Sequence, residues 1–240
     1  MVLRMDCPIT GFHLCLSMLS ITIVYFIQNL HQKEAAMKIM AFVGSPRKGG
    51  NTDILIDKVI EGAKSKTELE VEKIYLYEAN IKYCNACGAH TVLGGSKECP
   101  IGDDMNEILK RMVKADAFIF GSPNHGRTIS AAMTNFIARM MPLLKMEVKR
   151  DASGNIIDAE SKPLVRGKKA VMVVSQGDPW PTSSSLVLKI LDDNIKDFQM
   201  KKVGEVFSMF NLEKGAVKDK KDDLANAFAT GVRLATVMTS

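Results

Sequence analysis

The run Lys38-Ile-Met-Ala-Phe-Val43, followed at once by Gly44-Ser-Pro-Arg-Lys-Gly-Gly-Asn-Thr52, decides the fold. Five consecutive apolar residues ending at a glycine read as a short strand buried on both faces. Asn51 or Thr52 then offers an N-cap, and Ile54, Leu55, Val59 and Ile60 recur at helical spacing. A buried strand, a polar glycine-bearing loop and an amphipathic helix in that order open a βαβ unit.

Outward from this unit the same alternation repeats. Further strands are expected at residues 70–77, more polar and so nearer an edge, and at 117–120, 170–174 and 203–210. Between them, Asp104 with Glu107 resembles a capping box ahead of Met105, Ile108, Leu109, Met112 and Val113. Ser130 can cap a helix carrying Met133, Phe136, Ile137, Met140 and Leu144. Ser183 or Ser184 opens another with Val187, Ile190, Leu191 and Phe198, and residues 222–237 form the closing helix. Regular alternation implies a doubly wound α/β domain, because right-handed crossovers place helices on both faces of a parallel sheet. Five strands suit the order 2-1-3-4-5, with ligands bound at the carboxyl ends of the strands near the switch between the first and third. Residues 146–168 read as an inserted hairpin around the turn Asp151-Ala-Ser-Gly-Asn155, placed on the ligand-side periphery or at an oligomer interface.

Composition narrows the function. Lys and Arg number 32 against 27 Asp and Glu, a net charge of only +5, and no basic block is interleaved with aromatics. That pattern speaks against nucleic acid and suits a small phosphorylated ligand. The five cysteines are Cys7, Cys15, Cys84, Cys87 and Cys99, an odd number with three in one stretch. A secreted disulfide framework does not look like this, and a cytoplasmic protein is expected. The chain divides into a hydrophobic extension, residues 1–36, and a domain of residues 37–240. For the extension three readings stand: a dispensable or over-called start, a membrane anchor through residues 12–30, and a signal peptide behind Arg4.

Three loops face the ligand edge. The first, residues 44–52, is neither a Walker A loop nor G-x-G-x-x-G, since Pro46 interrupts it. It sits at a helix N-terminus, where unpaired N–H groups and the helix dipole favour an anion. Ser45, Asn51 and Thr52 can donate, and Arg47 can pair with a phosphate. The second loop carries Pro123, Asn124, His125, Gly126 and Arg127, and the third Ser175, Gln176, Gly177 and the single tryptophan, Trp180. Gly177 permits close backbone approach, while Trp180 either covers a bound ring or packs at a subunit interface.

Gly44-Ser-Pro-Arg-x-x-Gly-Asn-Thr52 resembles the FMN-phosphate loop of the NAD(P)H-dependent FMN reductase and iron–sulfur flavoprotein families, which share a flavodoxin-like fold. The likeness continues through Tyr83-Cys84-Asn-Ala-Cys87, Asp103-Asp104-Met105, Ala115-Asp-Ala117, Gly121-Ser-Pro123 and Ser130-Ala-Ala-Met133. It implies that Ser45, Arg47, Asn51 and Thr52 hold the FMN phosphate. The loops 123–127 and 175–177 would surround the flavin ring. His125 stands where relatives carry a tyrosine, and Arg127 is placed near the ring or an incoming nicotinamide phosphate.

The segment Cys84-x2-Cys87-x2-His90-x8-Cys99 falls where iron–sulfur flavoproteins carry four cysteines, here with His90 at the third place. Three readings stay open: a [4Fe–4S] cluster, a zinc knuckle on a Cys3His set, and a metal-free loop. The resemblance implies an FMN-dependent oxidoreductase taking electrons from NAD(P)H and reducing a small acceptor such as a quinone, flavin or metal ion. The alternative it carries is an electron carrier with ferredoxin-like partners. In either case a homo-oligomer, dimer or tetramer, is expected.

Overall fold

Alternate side chains of β1 (Met37–Val43) part to opposite sides of the sheet, as the two-residue period of a strand requires. Ile39, Ala41 and Val43 join one apolar cluster, Met40 and Phe42 another, and all five are fully buried. The computed structural model describes residues 37–91 and 98–240. The extension of residues 1–36, and with it the span 12–30, lies outside the described residues. Among those described, no helix is long and apolar enough to cross a membrane.

The chain continues through α1 (Asn51–Lys64), β2 (Leu69–Tyr75), α2 (Met105–Lys114), β3 (Ala117–Pro123), α3 (Ala131–Arg139), β4 (Met146–Arg150), β5 (Ile156–Ser161), β6 (Lys169–Ser175), α4 (Ser185–Asp197), β7 (Lys201–Ser208) and α5 (Lys221–Thr239). The main sheet has the order β2-β1-β3-β6-β7 and is parallel throughout. This is the expected 2-1-3-4-5 winding, with β4 and β5 forming a separate antiparallel pair. Helices α1 and α5 cover one face through Leu55, Val59, Ala63, Ala227 and Leu234. Helices α2, α3 and α4 cover the other through Met105, Ile108, Met133, Phe136, Val187 and Leu191. On that second face Phe42 stacks on Phe120, centroids 5.4 Å apart, and tilts against Phe136 at 4.4 Å. Chain direction reverses between β1, which leads outward to β2, and β3, which leads the other way. The crevice therefore opens at their carboxyl ends.

Several local expectations shift. Strands β2 and β7 begin one to two residues early, because pairing with their inner neighbours sets their limits. The Asp104–Glu107 capping box does not form. Asp104 accepts instead from Asn80 N at 2.8 Å, and Glu107 bonds Lys110. Gly50, not Asn51 or Thr52, is the N-cap of α1. Ser130 does cap α3, accepting from Met133 N. The β4–β5 hairpin forms, but away from the ligand side. It leaves the end of α3 and returns to the start of β6, and a helix between parallel strands delivers the chain to their amino edge.

Helices α1 and α5 approach closely enough that only glycine fits at their crossing. A Cβ on Gly62 would lie 2.0 Å from the Phe228 carbonyl oxygen, and one on Gly231 1.9 Å from that of Val59. Gly62→Ala should therefore destabilise the fold by about 1–3 kcal/mol. A urea midpoint equal to that of the parent protein would contradict this contact.

Candidate functional site

The carboxyl ends of β1, β3, β6 and β7 enclose a cleft of about 420 Å³, within the range typical of small-ligand sites. Ser45, Arg47, Asn51, Thr52, Pro123, Asn124, His125, Ser175, Gln176 and Gly177 all line it. Gly126 and Arg127 do not. They occupy the two central positions of a tight hairpin in which the amides of His125 and Thr128 bond each other's carbonyls, at 2.9 and 3.2 Å. Both have positive φ, 60° and 68°, the signature of a I′ turn. Trp180 is 65 % exposed and outside the lining. The lining gains Asn211, Leu212 and Lys214, from the loop after β7.

The first loop is shaped by what lies beneath it. Gly49 takes φ +65°, and its N–H donates to the buried Asp53 carboxylate at 2.7 Å. Asp53 is paired with Lys73 of β2 at 2.5 Å, and Tyr75 Oη lies 3.3 Å away. Burial alone would lower the Lys73 pKa, but hydrogen bonds to Asp53 and Asp57 outweigh it and the value is raised. The acid under the loop is thus neutralised. Ser45 Oγ accepts from Arg47 N at 3.2 Å, leaving its own hydrogen free to donate. The amides of Asn51, Thr52 and Asp53 precede the first helical bond, Ile54 N to Gly50 O, and have no acceptor among the described residues. Lys48 is turned away, paired with Glu78 at 2.7 Å and set over the Tyr75 ring. Arg47 has no hydrogen-bond or ion-pair partner among the described residues.

The other loops are tied together and then to the first. Thr52 Oγ1 and Ser175 Oγ lie 2.7 Å apart in a buried contact. Asn124 N donates to Ser175 O at 2.8 Å, and its side-chain amide donates to Ser183 O and Ser184 Oγ. Gln176 holds Asp178 and Trp180 O with its own amide nitrogen and accepts from Ser184 Oγ. The Asn51 amide donates to Glu213 O at 2.8 Å and Asn211 O at 3.4 Å, and accepts from Val217 N at 3.1 Å. Asn211 is only 6 % exposed, and its Oδ1 has no donor among the described residues.

These features fit a flavin mononucleotide. Among the described residues no carboxylate lines the cleft, Arg47 and Lys214 both do, and three amides without acceptors stand at a helix N-terminus. The fourth ligand-edge loop, residues 209–214, was not expected from sequence. Its position after the last strand was the only available signal, since it lacks the small and hydroxyl residues that mark the other three.

The cysteine segment sits apart. Cys84 and Cys87 are exposed and Cys99 half-buried. Among the described residues no three His, Cys, Asp or Glu side chains gather as metal ligands, and residues 92–97 lie outside that description. The segment's base is locked by Arg139 of α3, 2 % exposed. Its guanidinium meets both oxygens of the fully buried Asp103 carboxylate at 2.6 and 3.0 Å, Lys82 O at 2.6 Å and Cys99 Sγ at 3.5 Å. Burial would push the Asp103 carboxyl up. Hydrogen bonds from Arg139, Met105 N and Lys82 N outweigh that and hold it below its ordinary value. Removing one partner of such a pair strands the other charge, so Arg139→Leu should cost about 3–5 kcal/mol in urea unfolding. A depressed folded pKa means that Asp103 contributes its stability above the unfolded carboxylate value of about 3.9 and loses it as pH falls through the lower folded value. Asp103→Asn should weaken that acid transition, and an unchanged one would contradict the assignment.

The profile of the family described as NADPH-dependent FMN reductase matches residues 37–183. An iron–sulfur flavoprotein of Archaeoglobus fulgidus is 36% identical over 106 residues, 44% of this chain and 46% of the relative. One from Methanocaldococcus jannaschii is 36% identical over 107 residues, 45% of this chain and 53% of the relative. The chain spans about half the length of the curated relatives it matches. Among solved structures, an NAD(P)H:quinone oxidoreductase from Methanothermobacter marburgensis is similar in fold. Its TM-score is 0.60 at 16% identity, covering 83% of this chain and 100% of that one. Matched over more than half its length by one family profile, with the loop after β1 within the match, this chain belongs to the NADPH-dependent FMN reductase family.

Proposed function

We propose that the protein is an FMN-dependent oxidoreductase that takes electrons from NAD(P)H and reduces a small acceptor such as a quinone, a free flavin or a metal ion. The observation that carries this reading is a carboxylate-free cleft into which a helix N-terminus and Arg47 present unpaired donors. Family membership supports the same reading. In it, Arg47, the Ser45 hydroxyl and the amides of Asn51, Thr52 and Asp53 hold the phosphate. Gly177, whose amide has no acceptor among the described residues, lines the cleft from the third loop and would border the ring there. When bound, FMN supplies the hydride and electron chemistry, and the protein supplies position and charge. His125, on the cleft wall, borders the space left for a nicotinamide or acceptor.

The electron-carrier alternative would use Cys84, Cys87, His90 and Cys99 as ligands. What supports it is their spacing and the names of the curated relatives. Among the described residues these side chains do not gather as ligands and no step is assigned to a cluster; the cleft and the family match make the reductase the reading preferred. We also propose self-association, supported by the exposed Trp180, Phe210 and Leu212 beside the cleft. Sedimentation should give a mass above that of one chain, and a monomer at working concentration would overturn it.

Adding NADPH without oxygen to the FMN-loaded protein should bleach the flavin absorbance, and a quinone should restore it. Bleaching by reduced ferredoxin but not by NADH or NADPH would favour the carrier. Arg47→Ala should weaken FMN binding by roughly tenfold or more, the loss expected of a charge-assisted hydrogen bond.

A further inference from the structure

We propose that Lys214 is the second cation of the anion site, and that Asn51 is a positioning residue that holds it there. This rests on the phosphate-binding reading above and assigns Asn51 a different part in it. The Asn51 side chain lies at the first turn of α1, where a donor to a bound phosphate would be sought. Both ends of its amide are already engaged by the loop after β7. Nδ2 donates to the carbonyls of Glu213 and Asn211, at 2.8 and 3.4 Å, and Oδ1 accepts from Val217 N at 3.1 Å. These three bonds straddle Lys214.

The clamp fixes where Lys214 can reach. Its Cε lies 3.9 Å from the point a Cβ on Gly49 would occupy, so its stem runs beside the turn of the first loop. The residue lines the same cleft as Arg47. Its ammonium has no carboxylate or carbonyl partner among the described residues. The nearby Lys48 and Lys220 differ, the first bound to Glu78 and the second to the Met209 and Phe210 carbonyls. At the same rim, Asn211 is buried with its Oδ1 unpartnered. A flavin phosphate carries a charge near −2 at neutral pH. Arg47 supplies one positive charge and the helix end about half of another. A second full cation more than covers the remainder, and no carboxylate among the described residues lines the cleft to compete for it.

The chemistry predicts discrimination between a phosphate monoester and the same flavin without it. FMN and riboflavin would each be titrated by fluorescence quenching into the parent protein, Lys214→Met, Lys214→Arg, Asn51→Ala and the double variant Asn51→Ala/Lys214→Met, at low and high salt. Lys214→Met should weaken FMN about tenfold and flatten its salt dependence, with riboflavin affinity within about twofold of the parent. Lys214→Arg should restore most of the FMN affinity. Asn51→Ala should weaken FMN in the same sense and add little in the double variant, because both changes remove one contact. FMN affinity unchanged in Lys214→Met, or riboflavin affinity falling in parallel, overturns the proposal. Parent protein that binds neither flavin would instead overturn the phosphate-binding reading itself.

Discussion

Three amide hydrogens at the start of α1 have no acceptor among the described residues, and none of the described residues that line the neighbouring cleft is a carboxylate. Much of the structure can be traced to what keeps that arrangement open. Gly50 caps the helix without a side-chain oxygen, so the orphan donors stay unsatisfied. The one acid within the first turn, Asp53, is turned beneath the loop, where Gly49 N and Lys73 occupy it. Had it faced the cleft, its charge would repel the anion that the helix end attracts.

Rigidity comes from the layers behind the site. β1, β3 and β6, which deliver three of the four loops, are almost wholly buried and pair in continuous register, while β7 is a partly exposed edge strand joined to β6 across one irregularity at Val203. Side-chain bonds then join the loops to each other. Thr52 meets Ser175, Asn124 meets Ser183 and Ser184 just ahead of α4, and Asn51 meets the loop after β7. Loops anchored in this way hold ligand groups more closely than loops anchored only at their ends. A separate buried pair, Arg139 with Asp103, performs the same service for the cysteine segment.

The strands were legible because a parallel sheet covered on both sides writes itself as unbroken apolar runs, and 39–43 and 170–174 are such runs. The helices were legible from their period, and the cleft from the rule that ligands gather at the switch point. What escaped the sequence depends on long-range partners. The capping box at Asp104 lost to Asn80 N, 24 residues away. Asn51 looks like a phosphate donor from its position, yet residues more than 150 positions later occupy its amide. Lys214 lies 165 residues from Gly49 in the chain, and only the closing of the sheet brings the two side by side. Residues 146–168 read as an inserted hairpin on the ligand-side periphery or at an oligomer interface, whereas chain direction puts the hairpin at the amino edge.

The central claim is that this cleft grips a phosphate dianion. Phosphorus NMR of the stoichiometric FMN complex tests it most directly. The expected result is a resonance displaced from that of free FMN and steady across the range near pH 6 where a free phosphate monoester titrates. A resonance that coincides with free FMN and titrates with it would contradict the claim.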